Sequence, residues 1–398
     1  FTQPLSPGSY TVAWRTVAKD DGHPSSGKFT FVVDAASGEL APASATPGVT
    51  SAIQDSTATT AAQPVSSVTN SIAPMDVEAP SYVIARWLNF VALITLIGVI
   101  AFRFLVVPRV KLRAADSDAT APELTIVTGF ADLAVRRAAS LGLAASITVI
   151  VAAVWRLFAE RAVIGGDITL TTVLHSYWGK VLHVVLVTAL VAGIAFLFAR
   201  RSKRARGATG AWIIAAAAAV VLGATSAFSG HAIAAPQYRS TSVALDVLHV
   251  LAAGGWLGGL FALATVGVPA ALSVGNRSEH HAAMPVVARL VSAFSPIALT
   301  LAGIVVATGI LAAKMRIGSW SALTDSSYGR VLMIKISFVL LVVAGGAFNW
   351  RRMRDALAGP SGGSAVNTFR RSAWVEIAAG ILVIAATAVL VATPPPIH

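Results

Sequence analysis

The sequence predicts an all-α polytopic membrane protein of eight transmembrane helices arranged as a 4+4 parallel repeat, preceded by a short N-terminal β segment. Three observations carry this. Hydrophobic residues make up 56% of the 398 residues and charged residues only 12%, where soluble chains are about a quarter charged. The apolar residues fall in eight runs, near 83–107, 138–158, 178–199, 211–229, 243–267, 290–313, 329–348 and 373–393, each about the ~20 residues that cross a bilayer core. Basic residues gather in alternate loops between those runs.

Taken in order, residues 1–34 are the only soluble-looking stretch. Ser9–Arg15 and Lys28–Val33 alternate as strands around a turn at Asp21-Gly22-His23-Pro24, and two strands alone fall short of a stable domain. Phe1–Tyr10 has neither the basic start nor the apolar core of a signal peptide, so the chain reads as truncated. Residues 35–80 are mostly Ala, Ser, Thr, Pro, Val and Gly, too poor in large apolar groups to repay ordering entropy, and read as a flexible linker. Residues 81–393 form the membrane domain, and 394–398 an external tail.

Loops after the first, third, fifth and seventh runs hold clusters such as Arg200, Arg201, Lys203, Arg204 and Arg206, while the opposite loops hold few basic residues. By the bias of Lys and Arg toward the cytoplasm, both termini lie outside the cell membrane. The same bias explains the net charge of +12 without nucleic acid. Trp155, Tyr177, Trp178, Trp320 and Tyr328 read as the outer aromatic belt, and Trp212, Trp350 and Trp374 as the inner one. Ser176–Leu182 aligns with Ser326–Leu332 at an offset of 150 residues, which is the signature of the repeat, although shared helix-start chemistry gives the same likeness.

With no cysteine, any metal must be held by His, Met, Asp or Glu. His175 and His183 fall at the outer end of the third run, His231 closes the fourth, and His249 sits in the outer half of the fifth. His23 and His398 are also outside; His280 and His281, with Met284, are cytoplasmic. Ionisable groups at membrane depth are costly and are functional candidates by default, set against the ordinary role of a helix–helix hydrogen-bond partner. Asp246 and His249, three apart, share a helix face, so the carboxylate can orient the imidazole; alternatively Asp246 pairs with Arg239. His175 and His183 lie roughly 12 Å apart on a continuous helix, too far to share one ion. Met315 and Met333 lie on the same side, and thioether with imidazole suits Cu(I), while core filling is the plain role of Met333. Lys335 and Glu376 read as structural membrane charges, Lys335 snorkelling and Glu376 pairing with Arg351 or Arg371. Gly254-Gly255-Trp256-Leu257-Gly258-Gly259 lies within an apolar run and reads as a close-packing surface. No nucleotide motif is present, and the chain is expected not to be an enzyme.

These residues together resemble the copper-resistance CopC–CopD family in its fused, YcnJ-like form. Gly8–Arg15, Asp21–Pro24 and Ser26–Phe31 are similar to the last two strands of CopC, a small periplasmic β-sandwich. Ser229–Ala232, Asp246–Gly254, Trp256–Gly259, Tyr328-Gly329 and Lys335 are similar to CopD. The resemblance implies that Asp21 and His23 bind Cu(II) with an amino-terminal His that this sequence lacks. It also implies a copper ion as cargo, the lipid bilayer and a CopC-like periplasmic copper protein as partners, and copper import across the bacterial inner membrane; the placement of the histidines adds the expectation that the ion is received outside near His231, Asp246 and His249. Rival readings are a b-type haem electron-transfer protein and a membrane scaffold without substrate.

Overall fold

The computed structural model describes residues 5–17, 24–33, 80–115, 120–164, 170–202, 205–228, 239–274, 280–317, 321–356 and 362–393. The chain divides into two compact units, an N-terminal one holding a β-hairpin and a helical one. In the hairpin, β1 (Gly8–Val17) pairs antiparallel with β2 (Pro24–Val33), Ser9 opposite Val32 and Val17 opposite Pro24. Tyr10 stacks on Phe31 directly across the ladder at 5.6 Å between ring centroids, and the Thr11 and Thr30 hydroxyls meet at 3.1 Å. Cross-strand pairs of these kinds contribute a few tenths to about 1 kcal/mol each. The turn with Asp21 and His23, the 35–79 linker and the 394–398 tail lie outside the described residues.

Among the described residues of the second unit, eight helices are long and apolar enough to cross a membrane: α1 (Pro80–Ala115), α2 (Glu123–Ala159), α3 (Tyr177–Arg201), α4 (Arg206–Phe228), α5 (Ser240–Val274), α6 (Pro285–Met315), α7 (Ser327–Ala347) and α8 (Thr368–Ala392). The protein is therefore a multi-pass membrane protein. α1 is central, touching α2, α4, α5 and α8. It crosses α5 at Gly98 and Gly258, where a Cβ on Gly98 would sit 2.0 Å from the Gly258 carbonyl carbon and one on Gly258 2.0 Å from the Ile94 oxygen. Backbones meet directly there, as expected of the glycine run, because lipid offers no hydrophobic drive between helices and close van der Waals approach must replace it.

Two prolines shape the helices. Pro108 has no N–H to give to Phe104, and Pro269 none for Thr265. Each follows a π-helical turn, Phe102–Val106 in α1 and Leu263–Gly267 in α5, which absorbs the break without ending the helix. A third π turn spans the glycine run, Gly254–Gly258.

The two aligned stretches have the same local structure. A short helix, Leu170–His175 or Ala322–Asp325, ends at a serine that starts the next long helix. Ser176 Oγ accepts from Gly179 N–H at 3.1 Å and Ser326 Oγ from Gly329 N–H at 2.9 Å. Both glycines press on carbonyls of the preceding short helix, Leu174 and Val173 or Ala322 and Leu323. This shared N-cap accounts for the sequence likeness. A 4+4 repeat is not shown: α3 packs along both α2 and α4, whereas α7 packs chiefly along α8 and turns Met333, Ile334, Leu340 and Leu341 outward.

The aromatic belts need correction. Trp155, Tyr177 and Trp374 are exposed on the bundle surface as interface anchors should be, but Trp178 and Tyr328 are buried. Trp212 is 1% exposed and packs edge-on against Phe196 and Phe104, so it belongs to the core. Glu376 is buried in α8 and lies beside Gly345 and Gly346 of α7. The run boundaries also shift outward, since α1 and α5 continue beyond their apolar cores.

Candidate metal-handling end of the bundle

The expected site residues that are described gather toward the end where α1, α3, α5 and α7 begin. His249 lies on α5, half-buried, and reaches across to α6, where its Nδ1 lies 2.9 Å from Thr308 Oγ1. Thr308 is 4% exposed and gives its single hydroxyl hydrogen to the Ile304 carbonyl at 2.7 Å. With that hydrogen on a backbone carbonyl, Nδ1–H donates to Oγ1 and the neutral ring carries its lone pair on Nε2. A Cβ on Gly309 would make ordinary van der Waals contact with the His249 ring at 3.5 Å, so Gly309 of α6 lies beside the imidazole.

His183 and His175 follow the same rule. Their Nδ1 atoms lie 2.7 Å from the carbonyls of Gly179 and Thr171, and a carbonyl only accepts. In the neutral ring each again presents Nε2, the arrangement metal-ligating histidines adopt. The continuous-helix spacing expected between them does not hold. Ser176 interrupts the helix with extended backbone, ψ 166°, so His175 ends the short helix and only His183 rides on α3.

Asp246, one turn before His249, lines a cavity of about 100 Å³ walled by α1, α2, α3, α4, α5 and α8. Two arginines share this lining. Arg86 of α1 is 4% exposed, and Arg156 of α2 donates from Nη2 to the Tyr82 hydroxyl at 3.0 Å. Both guanidinium carbons lie over the Tyr82 ring, at 4.9 and 5.2 Å, and Arg156 also lies 5.9 Å from the Trp178 ring. Such stacking suits arginine's weakly hydrated plane. Met333 is 39% exposed on α7. His231, Asp21 and His23 lie outside the described residues, as do the side chains of His280, His281 and Arg239. Among the described residues, no three of His, Asp and Glu converge as a metal site.

Sequence reasoning passed over Arg86, Arg156 and Thr308. The two arginines carried a signal, since each is basic at the end of an apolar run on the side the charge bias leaves poor in Lys and Arg. Thr308 carried none, because one hydroxyl in an apolar helix usually satisfies its own backbone.

Three family models match in order along the chain: a CopC domain over residues 1–34, the copper resistance protein D-like N-terminal domain over 75–239, and copper resistance protein D over 288–390. The copper transport protein CutJ of Bacillus subtilis (strain 168) is 31% identical over 172 residues, 43% of this chain and 28% of that relative's length. The matched stretch thus spans just over a quarter of that relative. No solved structure matches the chain. An eight-helix membrane domain matched by both copper resistance D models, with CopC sequence ahead of it, places the chain in the copper-resistance CopC–CopD family.

Proposed function

We propose that this protein carries copper across the bacterial plasma membrane inward, taking the ion at the extracytoplasmic end of the bundle where α1, α3 and α5 begin. The loop charges support that orientation and put both termini outside. The observation that carries the reading is His249, held by Thr308 in the tautomer that offers Nε2 one helical turn from the Asp246 carboxylate. His231, which closes the fourth apolar run in the sequence, is the third member of the receiving site. His175, His183 and Met333 serve as further stations along the same end. A CopC-like extracytoplasmic copper protein is the partner that delivers the ion, and the CopC sequence at residues 1–34 supports this pairing.

The test is copper accumulation by cells producing the His231→Ala, His249→Ala and double variants, with protein level measured in the same membranes. Each single change should abolish copper-dependent uptake at unchanged protein level. Unaltered accumulation in the double variant would overturn the receiving site and move attention to His175, His183 and Met333.

A further inference from the structure

The cavity beside Asp246 has a lining that copper handling does not use. Arginine stays protonated at any physiological pH, and two arginines, Arg86 and Arg156, meet one carboxylate, Asp246, among the described lining residues. The lining keeps net positive charge even with that carboxylate fully engaged by a guanidinium. Charge buried among apolar helices, as at Arg86, is costly and is a functional candidate. The net positive charge of this lining favours an anion over a bare cation.

The donors are held in advance. Tyr82 lies under both guanidinium groups and accepts a hydrogen bond from Arg156. The Thr225 and Ser226 hydroxyls donate to the backbone carbonyls of Leu222 and Gly223, at 2.7 and 2.6 Å. The Arg86 and Arg156 guanidinium groups, the Asn89 amide and the Trp178 indole N–H are the other donor-bearing side chains of the lining. Planar forks match carboxylate and phosphate oxygens. A water needs about 10–15 Å³ of such space, so about 100 Å³ admits several waters or one small oxyanion.

We propose that this cavity is an oxyanion site of the carboxylate or phosphate class, bound by Arg86 and Arg156 with Asp246 as the built-in competitor. It stands independently of copper binding at His249. Asp246 lines this cavity while lying one turn from His249 on α5.

The test uses the metal-free full chain in neutral detergent, with inorganic phosphate titrated against sodium chloride at constant ionic strength and the thermal midpoint as readout. Phosphate should raise the midpoint saturably. Arg86→Gln and Arg156→Gln should remove the response, and Asp246→Asn should reach half effect at no more than a tenth of the phosphate, the sign opposite to loss of a metal ligand. Nanodiscs of phosphatidylcholine with and without phosphatidylglycerol separate the sources. A response kept in both identifies a free oxyanion; one suppressed by phosphatidylglycerol identifies a lipid headgroup. Absence of any phosphate or phosphatidylglycerol effect in the wild type, or a weaker phosphate response in Asp246→Asn, would overturn the proposal. The Asp246→Asn arm decides the matter if the arginine variants fail to fold.

Discussion

Replacing Thr308 with valine removes one hydroxyl and little volume, and it isolates the hydrogen bond that sets the His249 tautomer. The Thr308 side chain is 4% exposed, so no bulk water takes over when its oxygen is lost. The imidazole Nδ1–H, which donates across 2.9 Å, is left as a desolvated donor. That penalty is about 1–3 kcal/mol, which corresponds to a loss of roughly 5- to 150-fold in an equilibrium constant and overlaps the 10- to 100-fold usual when a ligand's outer partner is removed. Competition between purified protein and a chromophoric Cu(I) chelator reads this directly. Thr308→Val should weaken Cu(I) binding within that range, Thr308→Ser should preserve it, and His249→Ala should exceed both. Wild-type affinity in Thr308→Val, with His249→Ala impaired, would show that Nε2 does not depend on this bond. Wild-type affinity in both would remove His249 from the site.

Other outcomes follow from the same geometry. Gly258→Ala forces a Cβ within 2.0 Å of the Ile94 oxygen, and since backbone must move, it should cost about 3 kcal/mol or more of stability. Gly303→Ala meets nothing within 4 Å and should be neutral or stabilising by up to about 1 kcal/mol; equal thermal midpoints for the two variants would refute the tight crossing. Topology reporters after Arg206 and Arg354 should read cytoplasmic and one after Tyr238 external, and an external signal at Arg206 would invert the bundle. Deleting residues 1–79 should leave copper accumulation almost unchanged if the receiving residues lie in the helical unit; a large loss would show that this segment supplies copper.

Helix existence was legible because a membrane span is a local property. Some twenty apolar residues satisfy the bilayer whatever they pack against, so all eight helices follow from hydropathy and the glycine run from its composition. The hairpin follows from alternation. The positions of His183, His249 and Asp246 on their helices were equally readable, as was the family from its motifs. What those side chains face was not. Trp212 reads as an interface anchor in one dimension and lies in the core because Phe104 and Phe196 arrive from other helices. Ser176 and Ser326 look like the mark of a duplication, and the fold gives each the ordinary work of an N-cap.

The sequence alone indicated eight apolar runs long enough to cross a membrane, matched by eight such helices among the described residues, and the motifs of a copper-resistance family. Only the tertiary structure decided that His249 of α5 meets Thr308 of α6 and that Arg86, Arg156 and Asp246 share one cavity. Hydropathy and helical period depend on neighbours a few residues away. The cavity depends on six helices meeting at one depth, with Arg86, Arg156 and Asp246 spread over 160 residues of chain, and no local pattern encodes where such groups converge.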